Sequence, residues 1–198
     1  MKTVILAEDE ASIYLQASDK YVWAPRGQTP IVRVNTNRDC THIYGSLNLI
    51  TGKETVMRSQ IMNSETTALY LNVLLHTYPD QPILLLWDRG PHHKGDAVKA
   101  VLQANPRLEV MWFPAGAPDT NPQEHVWKDV RQHVCHAHTM NKLLQVVTAV
   151  EDRLNTHSFP CSLLSKHGFF EISAMSICFV YKHSGLRTSY VCRNQNRA

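Results

Sequence analysis

The chain has 198 residues, of which 43% are hydrophobic and 19% charged, and its 20 basic and 17 acidic residues give a formal net charge of +3. This length fits one domain and leaves little room for a second. The composition is that of a globular protein with no apolar run near the ~20 residues that a membrane-spanning helix needs, and the small positive charge permits nucleic-acid binding without requiring it.

Cysteine usage and the N-terminus indicate the compartment. The chain contains an odd number of widely separated cysteines, at Cys40, Cys135, Cys161, Cys178 and Cys192. They do not form the even set of a disulfide framework. The apolar stretch after Lys2 stops at Glu8, which is too early for a secretory signal. We therefore expect a cytoplasmic protein with reduced thiols.

The first part of the chain predicts antiparallel strands. Residues 3–8 are mostly apolar and predict a first strand that ends near Asp9. Residues 41–50 carry the β-branched and aromatic side chains typical of strands, and residues 51–54 predict a turn into a partner strand over 55–60. A hairpin or meander is therefore expected at about 40–61.

From Ser64 the pattern predicts helices that alternate with strands. Apolar residues now recur every three or four positions, which predicts an amphipathic helix with Ser64 as a possible N-cap and an end before Pro79. Residues 82–87 form a short apolar run, typical of a strand buried on both faces, which ends at Asp88. A helix over about 95–104 and a strand over 108–113 continue the alternation and favour parallel pairing.

A turn-rich segment at 114–122 leads into the last predicted elements. Asn121 before Pro122 fits a helix N-cap followed by proline at the first helical position, which places Glu124 in the first turn. A further helix is expected at about 140–155. After that the pattern loses clarity and becomes basic, so we expect a domain over 3–157 and a partly flexible C-terminal extension over 158–198.

Three acidic residues occupy positions where α/β proteins often carry functional groups. Asp9 and Asp88 are expected at strand ends and Glu124 at a helix start. Two carboxylates brought to within ~4 Å repel by on the order of 4 kcal/mol at an effective dielectric constant of 20, so they must share a proton or bind a hard cation. The alternative is that Asp9 is solvated charge, Asp88 caps a turn and Glu124 favours the helix dipole.

Asp9 has two acidic neighbours, Glu8 and Glu10, that compete for its proposed role. Side chains alternate between the two faces of a strand. Asp9 is therefore expected to point away from both neighbours.

Two segments carry a family resemblance. Trp-Asp-Arg-Gly-Pro-His-His-Lys at 87–94 and Pro-Asp-Thr-Asn-Pro-Gln-Glu-His-Val-Trp at 118–127, with the Asp9-Glu10 pair on an early strand, closely resemble bacterial insertion-sequence transposases related to Tc and mariner elements. The 35 residues between Asp88 and Glu124 agree with the usual spacing in that family. The resemblance covers about residues 3–157.

The resemblance implies a fold and a reaction. The fold would be α/β and ribonuclease H-like, with an antiparallel meander followed by parallel strands in a mixed sheet flanked by helices. The reaction would be cut-and-paste DNA transposition, in which transposon ends are nicked and a 3′ hydroxyl attacks target DNA, typically at TA. Asp9 and Asp88 would bridge two Mg²⁺ ions, with Mn²⁺ as a substitute, and Glu124 would complete the second site.

The resemblance also implies partners. These are double-stranded DNA, as transposon ends and as target, and a second copy in a homodimer on DNA. The bacterial protein would be cytoplasmic and associated with the nucleoid when bound to DNA. Relatives usually carry an N-terminal helix-turn-helix region, and we expect it to be absent here because the chain begins almost at the first catalytic strand.

Five further residues are candidates for DNA contact. His92, His93 and Lys94 follow Asp88 closely, and the histidines are candidates to touch the scissile phosphate or to tune the metal site, since imidazole titrates near neutrality. Arg26 and Arg33 are candidates to line a DNA path through phosphate contacts. The alternatives are histidines in an exposed loop and ordinary surface charge.

Two other functions remain open at this stage. One is a catalytically silent remnant that keeps the fold and acts only as a DNA-binding or interaction module. The other is a ribonuclease H-like nuclease that does not transpose. Retention of Asp9, Asp88 and Glu124 favours the enzymatic readings, because a silent remnant has no physical reason to keep three uncompensated acids.

Overall fold

In a computed structural model, the described residues are 2–18, 24–28, 31, 35–114 and 120–160. They form a mixed α/β fold whose elements follow the predicted order. The strands and α-helices, in chain order, are β1 (Val4–Tyr14), β2 (Cys40–Asn48), β3 (Glu54–Ser59), α1 (Ser64–Thr77), β4 (Ile83–Trp87), α2 (Asp96–Ala104), β5 (Leu108–Trp112), α3 (Gln123–Val130) and α4 (Leu143–Thr156). A short 3-10 helix, Pro91–Lys94, precedes α2, and a π-helical segment, Arg131–Cys135, continues α3.

The five strands form one sheet in the order β3-β2-β1-β4-β5. β1, β2 and β3 pair antiparallel, whereas β1 pairs with β4, and β4 with β5, in parallel. The predicted meander followed by parallel strands is therefore confirmed. The long strand β1 lies at the centre and joins the two halves.

Both faces of the sheet are covered by helices. Along β1, Ile5 and Ala7 belong to a core formed with α3 and α4. Val4 and Leu6 belong to a second core formed with α1 and α2. This alternation follows from the two-residue period of a strand, and it means that any two residues next to each other on β1 serve opposite layers.

Two element ends differ from the predictions. The N-cap of α1 is Asn63 rather than Ser64, because the side chain of Asn63 accepts from the N–H of Thr66 at 2.9 Å. The first strand also continues well past Asp9, since its ladder with β2 runs to the pair Tyr14 and Cys40. The charged Glu-Asp-Glu run therefore lies inside β1, and Glu8 is fully buried there.

α2 lies within one residue of its predicted bounds, whereas α4 begins at Leu143, three residues after the predicted start at about 140. α3 begins at Gln123, and Asn121 still acts at its start because its side-chain oxygen accepts from the N–H of Gln123 at 3.0 Å. No helix in the described ranges is long and apolar enough to cross a membrane. The predicted C-terminal extension lies, apart from residues 158–160, outside the described residues.

Gly45 of β2 sets how closely α3 approaches the sheet. It lies directly opposite Asp9 in the β1–β2 ladder. A Cβ at this position would lie 2.7 Å from Gln123 Nε2 and 2.8 Å from Trp127 Cη2, so the absence of a side chain lets both residues rest against the strand. α3 is thereby held against the strand pair that carries Asp9.

We expect Gly45→Ala to lower the free energy of unfolding by about 1 to 3 kcal/mol, because the added methyl overpacks a rigid contact. Urea denaturation followed by circular dichroism measures this change. Gly27→Asn is the matched control: nothing lies within 4 Å of a Cβ added there, and its φ of +83° is one that Asn tolerates. Equal stability of Gly45→Ala and the unmodified chain would contradict the packing described above.

Candidate metal centre

The parallel pairing of β1 and β4 brings Asp9 and Asp88 side by side. The last paired residues are Ala7 and Leu86, and Asp9 and Asp88 each lie two residues further on. Ala7 and Leu86 belong to the core under α3 and α4; by strand alternation Asp9 lies on that face too, and Asp88 directly follows Trp87, the last residue of β4. Neighbouring strands are about 4.8 Å apart, so the two carboxylates share one corner of the sheet.

Glu124 reaches this corner because the start of α3 is tied to the sheet. The side-chain amide of Asn121 donates to the backbone oxygen of Glu8 at 3.2 Å, and that of Gln123 donates to Glu54 at 3.1 Å. These bonds fix the first turn of α3, which contains Glu124. The negative charge of Glu124 is one of the causes that raise the pKa of Asp9.

Each of the three carboxylates has one oxygen held by a protein donor. The indole N–H of Trp127 donates to Oδ2 of Asp9 at 3.2 Å. The guanidinium of Arg131 donates to Oε2 of Glu124 at 3.1 Å. Oδ1 of Asp88 accepts from the backbone N–H of Gly90 at 2.9 Å and lies 2.8 Å from His93 Nδ1, which is also hydrogen-bonded to the backbone oxygen of Asp88 at 3.2 Å. The carboxylates are thus oriented by the protein itself.

The electrostatics of the two aspartates differ strongly. Burial, followed by the charges of Glu10, Glu124 and Asp88, raises the pKa of Asp9 to about 7. The pKa of Asp88 is lowered, first by the hydrogen bond from His93. Ionisation of Asp9 is therefore unfavourable in the folded protein, and a bound cation would reduce this penalty. Three carboxylates are the kind of donors that a hard divalent cation prefers, although among the described residues the ligand atoms of these three do not all lie within 4.8 Å of one another.

Glu8 and Glu10 do not belong to this set. Strand alternation places both on the face opposite Asp9, as predicted. Glu8 is completely buried, and burial, then the charges of Glu10 and Asp9, holds its pKa well above the ordinary value. Glu10 accepts from Nε2 of His92 and of His93, each at 3.0 Å, and these bonds lower its pKa despite burial.

Glu10, His92 and His93 form a second group that could hold a metal. One ligand atom from each lies within 4.8 Å of the other two. In the described part of the chain, this is the group of His, Cys, Asp and Glu side chains that comes this close together. Two imidazoles and one carboxylate suit zinc or another transition metal rather than magnesium. The two N–H···O bonds to Glu10 account for the short distances without an ion.

The residues predicted to contact DNA fall into different environments. Lys94 is exposed in the loop that follows β4, and His92 is partly exposed there. Arg26 lies in an exposed turn, in which the N–H of Gln28 donates to the oxygen of Pro25. Arg33 lies outside the described residues.

His93 is the one described residue of that set whose environment disagrees with a DNA contact. It is 2% exposed, and both of its ring nitrogens bond protein carboxylates. A phosphate contact does not fit this burial. The sequence alone suggested an exposed loop because the stacking of His93 on Trp87, with ring centroids 4.0 Å apart, depends on the three-dimensional fold.

Two residues of the centre were not predicted to take part in it. Trp127 packs in the core at 2% exposure, and its N–H also bonds Asp9. Its position three residues after Glu124, on the same side of a helix, was the available signal. Arg131, seven residues after Glu124 and two turns along the helix, has the same kind of spacing.

Comparison with known proteins places these features in a family. The sequence model of the family described as DDE superfamily endonuclease matches residues 4–159. The chain is 27% identical over 173 residues to a protein of Shigella sonnei described as the insertion element IS630 uncharacterized 39 kDa protein, and the match covers 85% of this chain and 49% of that protein.

Solved structures of the Mos1 transposase have the same fold. The mariner paired-end complex with Mn matches with a TM-score of 0.62 at 18% identity and covers 82% of this chain and 51% of that one. The Mos1 catalytic domain matches with a TM-score of 0.53 at 15% identity and covers 76% of this chain and 69% of that one. These likenesses confirm the ribonuclease H-like fold, and the chain spans about half the length of its IS630 relative and of the Mos1 chain in the Mn complex.

In metal-free buffer with EDTA, we expect Asp9→Asn to stabilise the fold at pH 8 by on the order of 2 kcal/mol more than at pH 4. A carboxyl group whose folded pKa is raised, here from 3.8 to about 7, loses stability as pH rises through that window, and the penalty is complete above it. Asparagine cannot ionise and escapes the penalty. Urea unfolding at both pH values measures the difference.

The control for this experiment is Asp96→Asn. Asp96 is exposed, and its pKa is lowered by the hydrogen bond from Lys99, so its replacement should give no gain at pH 8. If Asp9→Asn raised the free energy of unfolding by the same amount at pH 4 and at pH 8, the raised pKa of Asp9 would be contradicted.

Proposed function

We propose that this chain, which belongs to the DDE superfamily endonucleases and is the catalytic domain of a transposase of the IS630 and Tc/mariner type, cuts DNA at transposon ends and joins the released 3′ end to target DNA. The observation that carries the proposal is the convergence of Asp9, Asp88 and Glu124 at one corner of the sheet. Each of them has one oxygen already fixed by a protein donor.

Asp9, Asp88 and Glu124 are the residues that would hold the metal, as two Mg²⁺ ions or two Mn²⁺ ions. Their carboxylate oxygens match the preference of these hard cations, and burial, followed by the charges of Glu10, Glu124 and Asp88, raises the pKa of Asp9 to about 7, a penalty that a bound cation would reduce. When bound, a pair of divalent ions activates the attacking oxygen and stabilises the leaving oxygen of a phosphodiester.

The protein's own donors prepare the carboxylates for this task. Trp127 holds Oδ2 of Asp9, so that Oδ1 is presented. His93 and the N–H of Gly90 hold Oδ1 of Asp88, so that Oδ2 is presented. A carboxylate that is oriented beforehand loses less conformational freedom when it binds an ion. Such preorganisation contributes most to the reaction rate when the reacting groups must be placed accurately.

DNA would approach from the side of the loop after β4. Arg89 and Lys94 are exposed in this loop, directly after Asp88, and basic side chains beside a metal centre suit phosphate contacts. His92 is partly exposed next to them. A Mos1 structure is a paired-end complex with the left transposon end, and we propose transposon-end DNA, a TA target and a homodimer on DNA for this chain too.

We expect Mg²⁺ or Mn²⁺ to support nicking of a supercoiled plasmid that carries the terminal repeats of the element, and we expect Asp88→Asn and Glu124→Gln to abolish it. Each substitution keeps the shape of the side chain and removes the charge that a cation needs. Loss of at least a hundredfold in initial rate, followed on agarose gels, is the expected result.

Asp152→Asn is the matched control, because Asp152 is exposed on α4 away from the three carboxylates, and its rate should equal that of the unmodified chain. Undiminished nicking by Asp88→Asn would rule out the proposed metal centre. DNA binding without nicking under any metal would favour a catalytically silent module. Nicking of structured nucleic acid without joining to target would favour a ribonuclease H-like nuclease.

We also expect Ca²⁺ to bind at this centre without supporting nicking. Calcium accepts looser and larger coordination than magnesium, and this misplaces the attacking oxygen. Competition is the measurement: Ca²⁺ added to a Mg²⁺ reaction should inhibit it and raise the Mg²⁺ concentration needed for half-maximal rate. If Ca²⁺ supported nicking at the rate seen with Mg²⁺, the reaction would not depend on accurate metal coordination, contrary to this prediction.

A further inference from the structure

We propose that Glu10 and His93 form a buried bridge that positions the carboxylate of Asp88 for metal binding. The proposal rests on the proposed function, because it assigns a role toward the same metal centre. Glu10 and His93 would not touch metal or DNA. They would act only through Asp88 and are therefore positioning residues.

The bridge runs through one imidazole ring. Nε2 of His93 is hydrogen-bonded to Oε1 of Glu10 at 3.0 Å. Nδ1 of His93 is hydrogen-bonded to the backbone oxygen of Asp88 at 3.2 Å and lies 2.8 Å from Oδ1 of the same residue. Every oxygen within reach of the two ring nitrogens can accept, so a ring that donates from both nitrogens fits this setting. In agreement, the contacts with Asp88 and Glu10 raise the pKa of His93 to about 9 although burial opposes its positive charge.

The surroundings of His93 keep the ring in one orientation. Its side chain is fully buried and stacks on Trp87 at a centroid distance of 4.0 Å and an angle of 27°. Trp87 in turn stacks on Trp112 at 5.5 Å and 7°. The backbone N–H of His93 donates to the oxygen of Gly90 at 3.2 Å. The ring therefore has little freedom to turn away from Asp88.

Glu10 is fixed from a second direction. His92 donates to the same oxygen, Oε1, at 3.0 Å, and the side chain of Glu10 is 5% exposed. Because Glu10 belongs to β1, the bridge ties the loop after β4 to the central strand of the sheet. It connects the two strands that carry Asp9 and Asp88 by a route separate from their backbone ladder.

The side chain of Asp88 needs such contacts to stay in one orientation. Its side chain is 53% exposed, and an exposed aspartate rotates freely unless something holds it. The contacts of Gly90 and His93 with Oδ1, and of His93 with the backbone oxygen, restrict the rotation of the carboxylate and leave Oδ2 as the oxygen that could bind a cation. A carboxylate-to-histidine contact of this kind typically changes metal affinity 10- to 100-fold when it is removed.

The experiment measures Mn²⁺ binding by electron paramagnetic resonance, with no DNA and no turnover. We expect Glu10→Gln and His93→Gln each to weaken Mn²⁺ binding about tenfold, while saturating Mg²⁺ brings the nicking rate back to within about threefold of the unmodified chain. If His93 acted only as a nearby positive charge, its removal would strengthen Mn²⁺ binding. Unchanged or stronger binding in both variants overturns the bridge.

The control for the bridge variants is His133→Gln. His133 makes a comparable pair with Asp129, at 3.2 Å, on the exposed side of the π-helical segment, and its replacement should leave Mn²⁺ affinity unchanged. If His93→Gln does not fold, as judged by circular dichroism, Glu10→Gln decides alone, because it keeps the stack of His93 on Trp87. Loss of Mn²⁺ affinity in His133→Gln equal to that in Glu10→Gln would also overturn the bridge.

Asp88→Asn separates this proposal from the proposed function. If Asp88→Asn binds Mn²⁺ as tightly as the unmodified chain, the metal centre itself is wrong and the bridge falls with it. If Asp88→Asn loses binding while Glu10→Gln and His93→Gln keep it, only the bridge is wrong. Stoichiometric Zn²⁺ binding that His92→Gln and Glu10→Gln abolish would assign their cluster to a metal and overturn the bridge as well.

Discussion

Mutual repulsion of carboxylates is the constraint on which the site depends. Parallel pairing of β1 and β4 brings Asp9 and Asp88 to one corner of the sheet, and α3 adds Glu124. Folding must hold these charges together before any cation arrives. The fold tolerates them by unequal means: Asp9 has a raised pKa of about 7, whereas Asp88 is compensated by the positive His93 and Glu124 by Arg131.

The two-residue period of β1 divides its acidic run between two tasks. Asp9 faces the metal centre under α3, while Glu10 faces the layer of α1 and α2 and engages the histidines after β4. One strand therefore supplies both a proposed metal ligand and an anchor for the loop that carries Asp88. A register shift of one residue would exchange these roles and leave Asp9 in the apolar layer.

Much of this was accessible from sequence because it depends on local pattern. Apolar spacing located α1, α2 and α4, the run before Asp88 located β4, and Asn121-Pro122 located the start of α3. The length of β1, the burial of His93 and the bond from Trp127 to Asp9 were not accessible, because each depends on partners far away in the chain. The role of Ser64 was missed for a different reason, since Asn63 beside it is an equally good cap.

The close packing at Gly45 limits how this sequence can evolve. Gly45 carries no functional group, yet a larger residue there would need a smaller one at Trp127 or Gln123 to make room. Replacing Trp127 would remove the N–H that orients Asp9, and replacing Gln123 would remove the amide that holds Glu54. Selection for metal chemistry on β1 and α3 therefore also acts on a silent glycine of β2, and substitutions at these positions should be accepted together or not at all.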